Sequence, residues 1–331
     1  MLARLRFFLI ILTAVLLLAG VWLLDVHTAR APEEKGFSLA FLGDVMLGRG
    51  VARAHSSLER PWGLALDAIR PDLQAADLAL ANLESPLTSQ PLLHPGYDLR
   101  GPGTASDALS AAGLDLVSLA NNHSLDAGQA GLSDTQAALQ AVGVSWIGPQ
   151  AQIMLRHIQG QRLAFLAFED VTAPLDLVQV QQAVEDARSQ ADWVIVSMHW
   201  GGEYRPSPDA RQVQLAQVLA DAGADVVWGQ HPHVLQRLDW VQGVGRSRPT
   251  LVIYSLGNAL FDQVEPIDGR RAALLLLRFD AGKIQQVQAF PFVIDPIHAQ
   301  LLLAGEADAA VILERLGPLA QPLPAPTPPS P

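Results

Sequence analysis

Ser38-Leu39-Ala40-Phe41-Leu42-Gly43-Asp44 opens the globular part of the sequence. A short uncharged run without polar alternation fits a strand buried on both faces, and it ends on a carboxylate. The same figure recurs along the chain. Asp77–Ala81 runs into Asn82 and Glu84, and Asp115–Ala120 into Asn121, Asn122 and His123. Trp193–Met198 runs into His199, Asp225–Trp228 into His231 and His233, and Leu251–Gly257 into Asn258. Arg162–Phe168 is a further apolar run. Helical periodicity lies between these runs, around Leu64–Gln74, Gly131–Ala141, Val178–Arg188 and Arg211–Ala222, with Gly113, Gly143 and Gly223 as expected C-caps. Short apolar runs alternating with helices predict an α/β fold. Arg271–Phe279 and Ile284–Phe290 lack intervening helices and are expected as antiparallel hairpins at a sheet's far edge.

Both ends differ from this body. Residues 7–24 are apolar or small, without a charge, and follow Arg4 and Arg6. At 1.5 Å per residue that segment covers about 27 Å, close to the hydrocarbon thickness of a bilayer. The expectation is a single-pass anchor over residues 1–24, amino terminus inside and body outside the cytoplasm. Ala29-Arg30-Ala31 keeps open the alternative of a cleaved signal and a secreted body. A polar linker follows at 25–37, then one domain over 38–317. The tail 318–331, with seven prolines, is expected to be extended and disordered.

The 331 residues carry a net charge of −11, and Lys35 and Lys283 are the only lysines, so no polybasic patch exists to bind nucleic acid. There is no cysteine, which removes disulfides, thiolate metal sites and cysteine nucleophiles together. Neither a phosphate-binding G-x-x-x-x-G-K-[ST] loop nor a G-x-S-x-G elbow occurs, and Gly48-Arg49-Gly50 is too short for a dinucleotide fingerprint.

In open α/β sheets ligands bind beyond the carboxyl ends of the strands, so the polar residues ending these runs should face one rim. Singly, each has an ordinary structural explanation. Asp44 suits a helix N-cap, Asn121-Asn122-His123 a turn, and His199 a satisfied core histidine. His231-Pro232-His233 is sharper, since two imidazoles flank a proline at a strand end. Jointly, imidazole, carboxylate and amide oxygens at one rim point to a divalent transition metal, one or two ions of Mn, Fe or Zn.

On these residues the chain resembles a known family. Gly43-Asp44-Val45-Met46-Leu47-Gly48-Arg49, Asn82-Leu83-Glu84-Ser85-Pro86, Ala120-Asn121-Asn122-His123-Ser124-Leu125-Asp126, His199-Trp200-Gly201-Gly202-Glu203-Tyr204, His231-Pro232-His233-Val234-Leu235-Gln236 and Tyr254-Ser255-Leu256-Gly257-Asn258 are similar, in order, to the motifs of the CapA/PgsA capsule-synthesis family. The resemblance implies a calcineurin-like metallophosphoesterase sandwich of two mixed β-sheets flanked by helices. It implies Asp44, Glu84, Asn122, His199, His231 and His233 as metal ligands and His123 as the acid that protonates a leaving group. Arg49, Asn82, Asn121, Glu203, Tyr204 and Asn258 are expected around substrate or behind the ligands. Met46 stands where the phosphoesterase motif has a histidine, which implies one ligand fewer at a first metal. Gln230 and Ala259 replace a histidine and a phenylalanine. The implied role is capsule or poly-γ-glutamate synthesis or export, with metal-dependent hydrolysis. Capsule polymer and membrane synthase subunits are the implied partners. The alternative is a non-catalytic accessory that retains metal and binds the polymer or the synthase.

Overall fold

The computed structural model describes residues 36–55, 61–94, 96–149 and 152–322. The expected anchor at 7–24, nearly all of the linker and residues 323–331 of the tail lie outside the described residues. Among the described residues, no helix is long and apolar enough to cross a membrane.

Among the described residues, fifteen strands form two sheets. They are β1 (Phe37–Val45), β2 (Leu78–Leu83), β3 (Leu116–Ser118), β4 (Ser145–Ile147), β5 (Met154–Ile158), β6 (Gln161–Glu169), β7 (Trp193–His199), β8 (Val226–Gln230), β9 (Leu235–Val241), β10 (Thr250–Leu256), β11 (Asn258–Leu260), β12 (Arg271–Asp280), β13 (Lys283–Asp295), β14 (Gln300–Leu303) and β15 (Gln321–Pro322). The first sheet runs β14-β13-β12-β1-β2-β3-β4, with β11 on β1 and β15 on β13; the second runs β5-β6-β7-β8-β10-β9. Strands β1 to β4 pair in parallel, as do β6, β7, β8 and β10. In the first sheet β12, β13 and β14 pair antiparallel, and in the second the edge strands β5 and β9 do. Both sheets are therefore mixed, as expected.

Period-two alternation sorts the side chains into layers. Phe37, Leu39 and Phe41 of β1 meet Leu163 and Phe165 of β6 in the core between the sheets. The intervening Ala40 and Leu42 face an outer layer with Leu66, Leu109 and Leu139. Ala164, Leu166 and Phe168 of β6 face the other outer layer. On the first side the helices are α1 (Arg49–His55), α2 (Arg70–Gln74), α3 (Ser106–Ala112) and α4 (Gly128–Ala141). Helices α5 (Leu177–Gln190) and α6 (Ala210–Ala222) cover the second sheet, and α7 (Glu306–Leu316) sends Ile312 and Leu316 into the core between the sheets. The buried Trp228 indole spans that core, with Nε1 donating to the Leu42 carbonyl at 2.8 Å.

Three expectations are corrected. The helix expected over Leu64–Gln74 is broken into 3-10 turns at Trp62–Leu64 and Asp67–Ile69 before α2, where Pro71 cannot donate to a preceding carbonyl. The segments expected as antiparallel hairpins do pair antiparallel as β12 and β13, but the outermost strand at that end of the sheet is β14, and β12 lies against β1. The ordered domain also passes 317, since Ala320 is buried and β15 pairs with Gln288 and Ala289 of β13.

At the carboxyl end of β1 the chain passes from the second sheet to the first. Gly257 joins β10 of one sheet to β11 of the other, with φ of 67°, and its carbonyl accepts from the Asp44 amide at 3.0 Å. A Cβ on Gly43 would lie 1.9 Å from the Gly257 oxygen, and the obstacle is backbone. Gly43→Ala should therefore cost about 3 kcal/mol of stability, the upper end for overpacking, read as a lowered urea midpoint. An unchanged midpoint contradicts this close approach.

Candidate metal centre

The strand ends deliver their polar residues to one buried cluster. Asp44 comes from β1, Asn82 from the end of β2 and Glu84 from just beyond it. His199 is the last residue of β7, His231 follows β8, His233 lies between β8 and β9, and Asn258 begins β11. Asp44, Glu84 and His199 are fully buried, and His231 and His233 nearly so.

Asp44 is the junction. Its Oδ1 accepts from the Asn82 amide at 2.8 Å, and its Oδ2 accepts from the His231 backbone N–H at 3.1 Å. His233 Nδ1 lies 3.4 Å from the same Oδ2 and 2.8 Å from Asn258 Oδ1. Asn82 Oδ1 in turn accepts from Asn121 Nδ2 at 3.1 Å, which places Asn121 behind the cluster. His231 and His233 hold φ of 92° and 57°, left-handed values that cost a non-glycine residue about 1–3 kcal/mol each. Such strain concentrates where surrounding structure imposes a fixed side-chain position.

Glu84 sits at the centre. Its Oε1 lies 3.6 Å from His199 Nε2, 3.8 Å from His233 Nε2 and 3.9 Å from His123 Nε2. Neither of its oxygens accepts a hydrogen bond, and His231 Nδ1 is also buried without a partner. A fully buried carboxylate lacking donors is costly, and a cation removes that cost. Two triads share Glu84: Glu84 with His199 and His231, and Glu84 with Asp44 and His233. In each, the ligand atoms fall within 4.8 Å of one another. These residues fit a divalent metal.

The electrostatics match neutral imidazole donors at His199 and His231. At His233 burial is outweighed by the Glu84 and Asp44 carboxylates, which push the ring up to about 9, so a cation binding there takes the place of its proton. Burial, reinforced by the neighbouring imidazoles, holds His199 well below the usual histidine range. Burial likewise pulls His231 down to about 4, so both rings are neutral donors near pH 7. Burial drives Glu84 upward, with His233 opposing and Asp44 adding to the rise.

The other expected residues fall on the rim of this cluster. Asn122 Oδ1 lies 2.8 Å from His199 Nε2. His123 Nδ1 lies 2.8 Å from Asp126 Oδ2, which leaves Nε2 directed toward Glu84. Arg49 is turned away into a salt bridge with Asp262, and its guanidinium stands 5.9 Å from the Phe261 ring centre. Tyr204 lies 6.0 Å from the His233 ring, while Glu203 is exposed beside it and reaches Glu84 only through its charge. Met46 packs inward, its sulfur accepting from the Gly48 amide at 3.0 Å. Gln230 is buried and donates to the Trp228 carbonyl at 2.8 Å. Asp126 and Asp262 had no role in the sequence reading. Asp126 closes the motif that begins at Ala120, three residues after His123, and that position was the signal it offered.

A two-sheet α/β body with a carboxylate–imidazole cluster on its strand-end rim defines a protein built around a candidate metal centre. The family described as "Bacterial capsule synthesis protein PGA_cap" matches residues 38–263, a span holding every residue of the cluster, and the chain belongs to that family. The chain is 30% identical over 285 residues to "Capsule biosynthesis protein CapA" of Bacillus anthracis, covering 76% of this chain and 67% of that one. It is 30% identical over 277 residues to "PGA biosynthesis protein CapA" of Bacillus subtilis (strain 168), covering 75% and 70%. A "Probable polyglutamine synthesis accessory protein" of Mycobacterium tuberculosis is 27% identical over 286 residues, covering 72% and 71%. Among solved structures, a hypothetical protein from Thermus thermophilus shares the fold, with a TM-score of 0.52 and 19% identity over 77% of this chain and 99% of that one.

Because Glu84 belongs to both triads, Glu84→Gln should deplete bound Mn or Zn more than His231→Ala, which touches one triad. His231→Ala combined with His233→Ala should strip most of the metal. Elemental analysis of the purified chain after metal loading reads all three. Equal metal content in the double variant and the parent protein would refute the cluster as a metal site.

Proposed function

We propose that this capsule-synthesis family member is a membrane-anchored protein with its body outside the cytoplasm. In this reading it carries out metal-dependent hydrolysis in poly-γ-glutamate or capsule synthesis or export. The observation that carries the reading is the donor-free Glu84 carboxylate shared by two triads, with His123 held beside it. Asp44, Glu84, His199, His231 and His233 would hold the ion or ions, with the Asn122 amide oxygen at the His199 edge. A divalent metal bound there supplies Lewis acidity toward a phosphoryl or acyl oxygen and activates water for attack.

The chain's own residues do the rest. Asp126 accepts from His123 Nδ1–H and so fixes the ring and its tautomer, with Nε2 facing the cluster. At that atom a proton can be held and passed to the oxygen or nitrogen that departs. Asn82 and Asn258 position Asp44 and His233 through their amide groups. Burial keeps bulk water from the ligands. Capsule polymer and membrane synthase subunits are the proposed partners. The second reading, a non-catalytic accessory, is favoured by the name of the mycobacterial relative. His123 separates the two, because an accessory needs no acid beside its metal.

His123→Ala should retain metal and melting temperature while turnover falls by roughly 100- to 10,000-fold, the range of general acid catalysis. The loss should shrink on substrates with good leaving groups. A panel of phosphoester and γ-glutamyl substrates, assayed on the metal-loaded chain, supplies the rates. No turnover by the parent on any of them favours the accessory, whereas full turnover by the variant removes His123 as the acid and leaves the chain a hydrolase.

The anchor is tested separately. Protease added to intact cells stripped of their wall should digest residues 37–331, and protection until lysis reverses the topology.

A further inference from the structure

Beside the rim opens a cavity of about 650 Å³, reached past Asn121, Asn122 and Asp126. Its size is that of a site for a small organic group. The far wall belongs to the second sheet and the start of α5, where Phe168, Leu175 and Val180 supply an apolar floor. Three carboxylates line it, those of Asp126, Glu169 and Asp176, against one imidazole, that of His94, and among the described residues no lysine or arginine does.

The carboxylates differ in how they are held. Asp126 is engaged by His123. Glu169 accepts from the backbone amides of Val171 and Thr172, and Asp176 caps α5 by accepting from Val178 and Gln179. Amide donors fix a carboxylate without cancelling its charge as a cation would. Asp170, next to Glu169, is by contrast neutralised by Arg211 at 2.8 Å and does not line the cavity. The positive end of the α5 dipole offsets about half a charge, which leaves the wall net negative.

We propose that this cavity receives the leaving-group part of the substrate and selects a small, partly apolar group bearing an ammonium, while excluding carboxylates and phosphates. The apolar floor takes the body of such a group and the amide-held carboxylates take its charge. An anionic polymer chain must then approach the cluster from another side. The proposal rests on the hydrolase reading only in placing the leaving group on the His123 side. Binding itself is read without turnover.

Three probes of matched size test it: phenethylamine, phenethyl alcohol and phenylacetate, titrated against the metal-loaded full chain by ligand-observed NMR. The amine should bind at least about tenfold tighter than the carboxylate, a difference of about 1.4 kcal/mol. Glu169→Gln with Asp176→Asn preserves acceptor oxygens for the backbone amides and removes both charges, so the preference should collapse. Gln179→Arg places a cation on the exposed helix surface at the cavity, where folding is insensitive to it, and should shift the preference toward phenylacetate. Equal or tighter binding of phenylacetate by the parent overturns the proposal. So does a preference unmoved by either variant, or no binding of the amine at millimolar concentration. Metal content and turnover on the same preparation report the hydrolase reading independently, since its failure leaves amine binding intact.

Discussion

The Asp44 carboxylate binds both sheets at the point where they meet. It sits at the end of a strand with every residue buried, accepts from an amide of its own sheet, and accepts from the backbone of His231 in the other. That second bond holds His231 in a backbone conformation its side chain disfavours, and the ring is thereby aimed at Glu84's triad. Without the Asp44 charge the His231 amide would be buried without its acceptor, and the His231-Pro232-His233 segment would relax away from the strand ends. Gly43 and Gly257 permit this closeness by bringing backbone against backbone. Packing and chemistry are thus coupled at one side chain.

The charge economy of the site follows from the same burial. Low dielectric surroundings keep His199 and His231 uncharged, which is the form that donates a lone pair to a metal. They also make an unaccompanied Glu84 carboxylate unfavourable, so affinity for a cation and the cost of its absence are one quantity seen from two sides.

Much of this was legible in the order of residues. Strands β1, β2, β6, β7, β8 and β10 are buried on both faces and read as unbroken apolar runs, so their existence and their polar ends were evident. Strands β5 and β9 were not, because exposed residues interrupt them at edge positions of the sheet, where one side faces solvent. Helix α7 escaped notice beyond the family motifs. In the cluster, the ligand types were visible but their division into two triads around Glu84 was not. That division depends on the register shift between Phe41 and Asp44 and on the left-handed turn at His231. Met46 and Gln230, departures from the phosphoesterase pattern, prove to be occupied with local packing and backbone contacts.

The family match stops at residue 263, yet the first sheet does not. Strand β12 supplies the neighbour on one side of β1, pairing Phe37 through Phe41 with Phe279 through Leu275. A chain ending at the family boundary would leave β1 hydrogen-bonded on that side only through the short β11 near its end, with the unpaired N–H and C=O groups of an apolar strand facing water. Such an open edge recruits strands from other molecules. The segment past the family motifs therefore acts as the protein's own guard against self-association, and the strand that carries Asp44 keeps its edge closed because that guard is covalently attached.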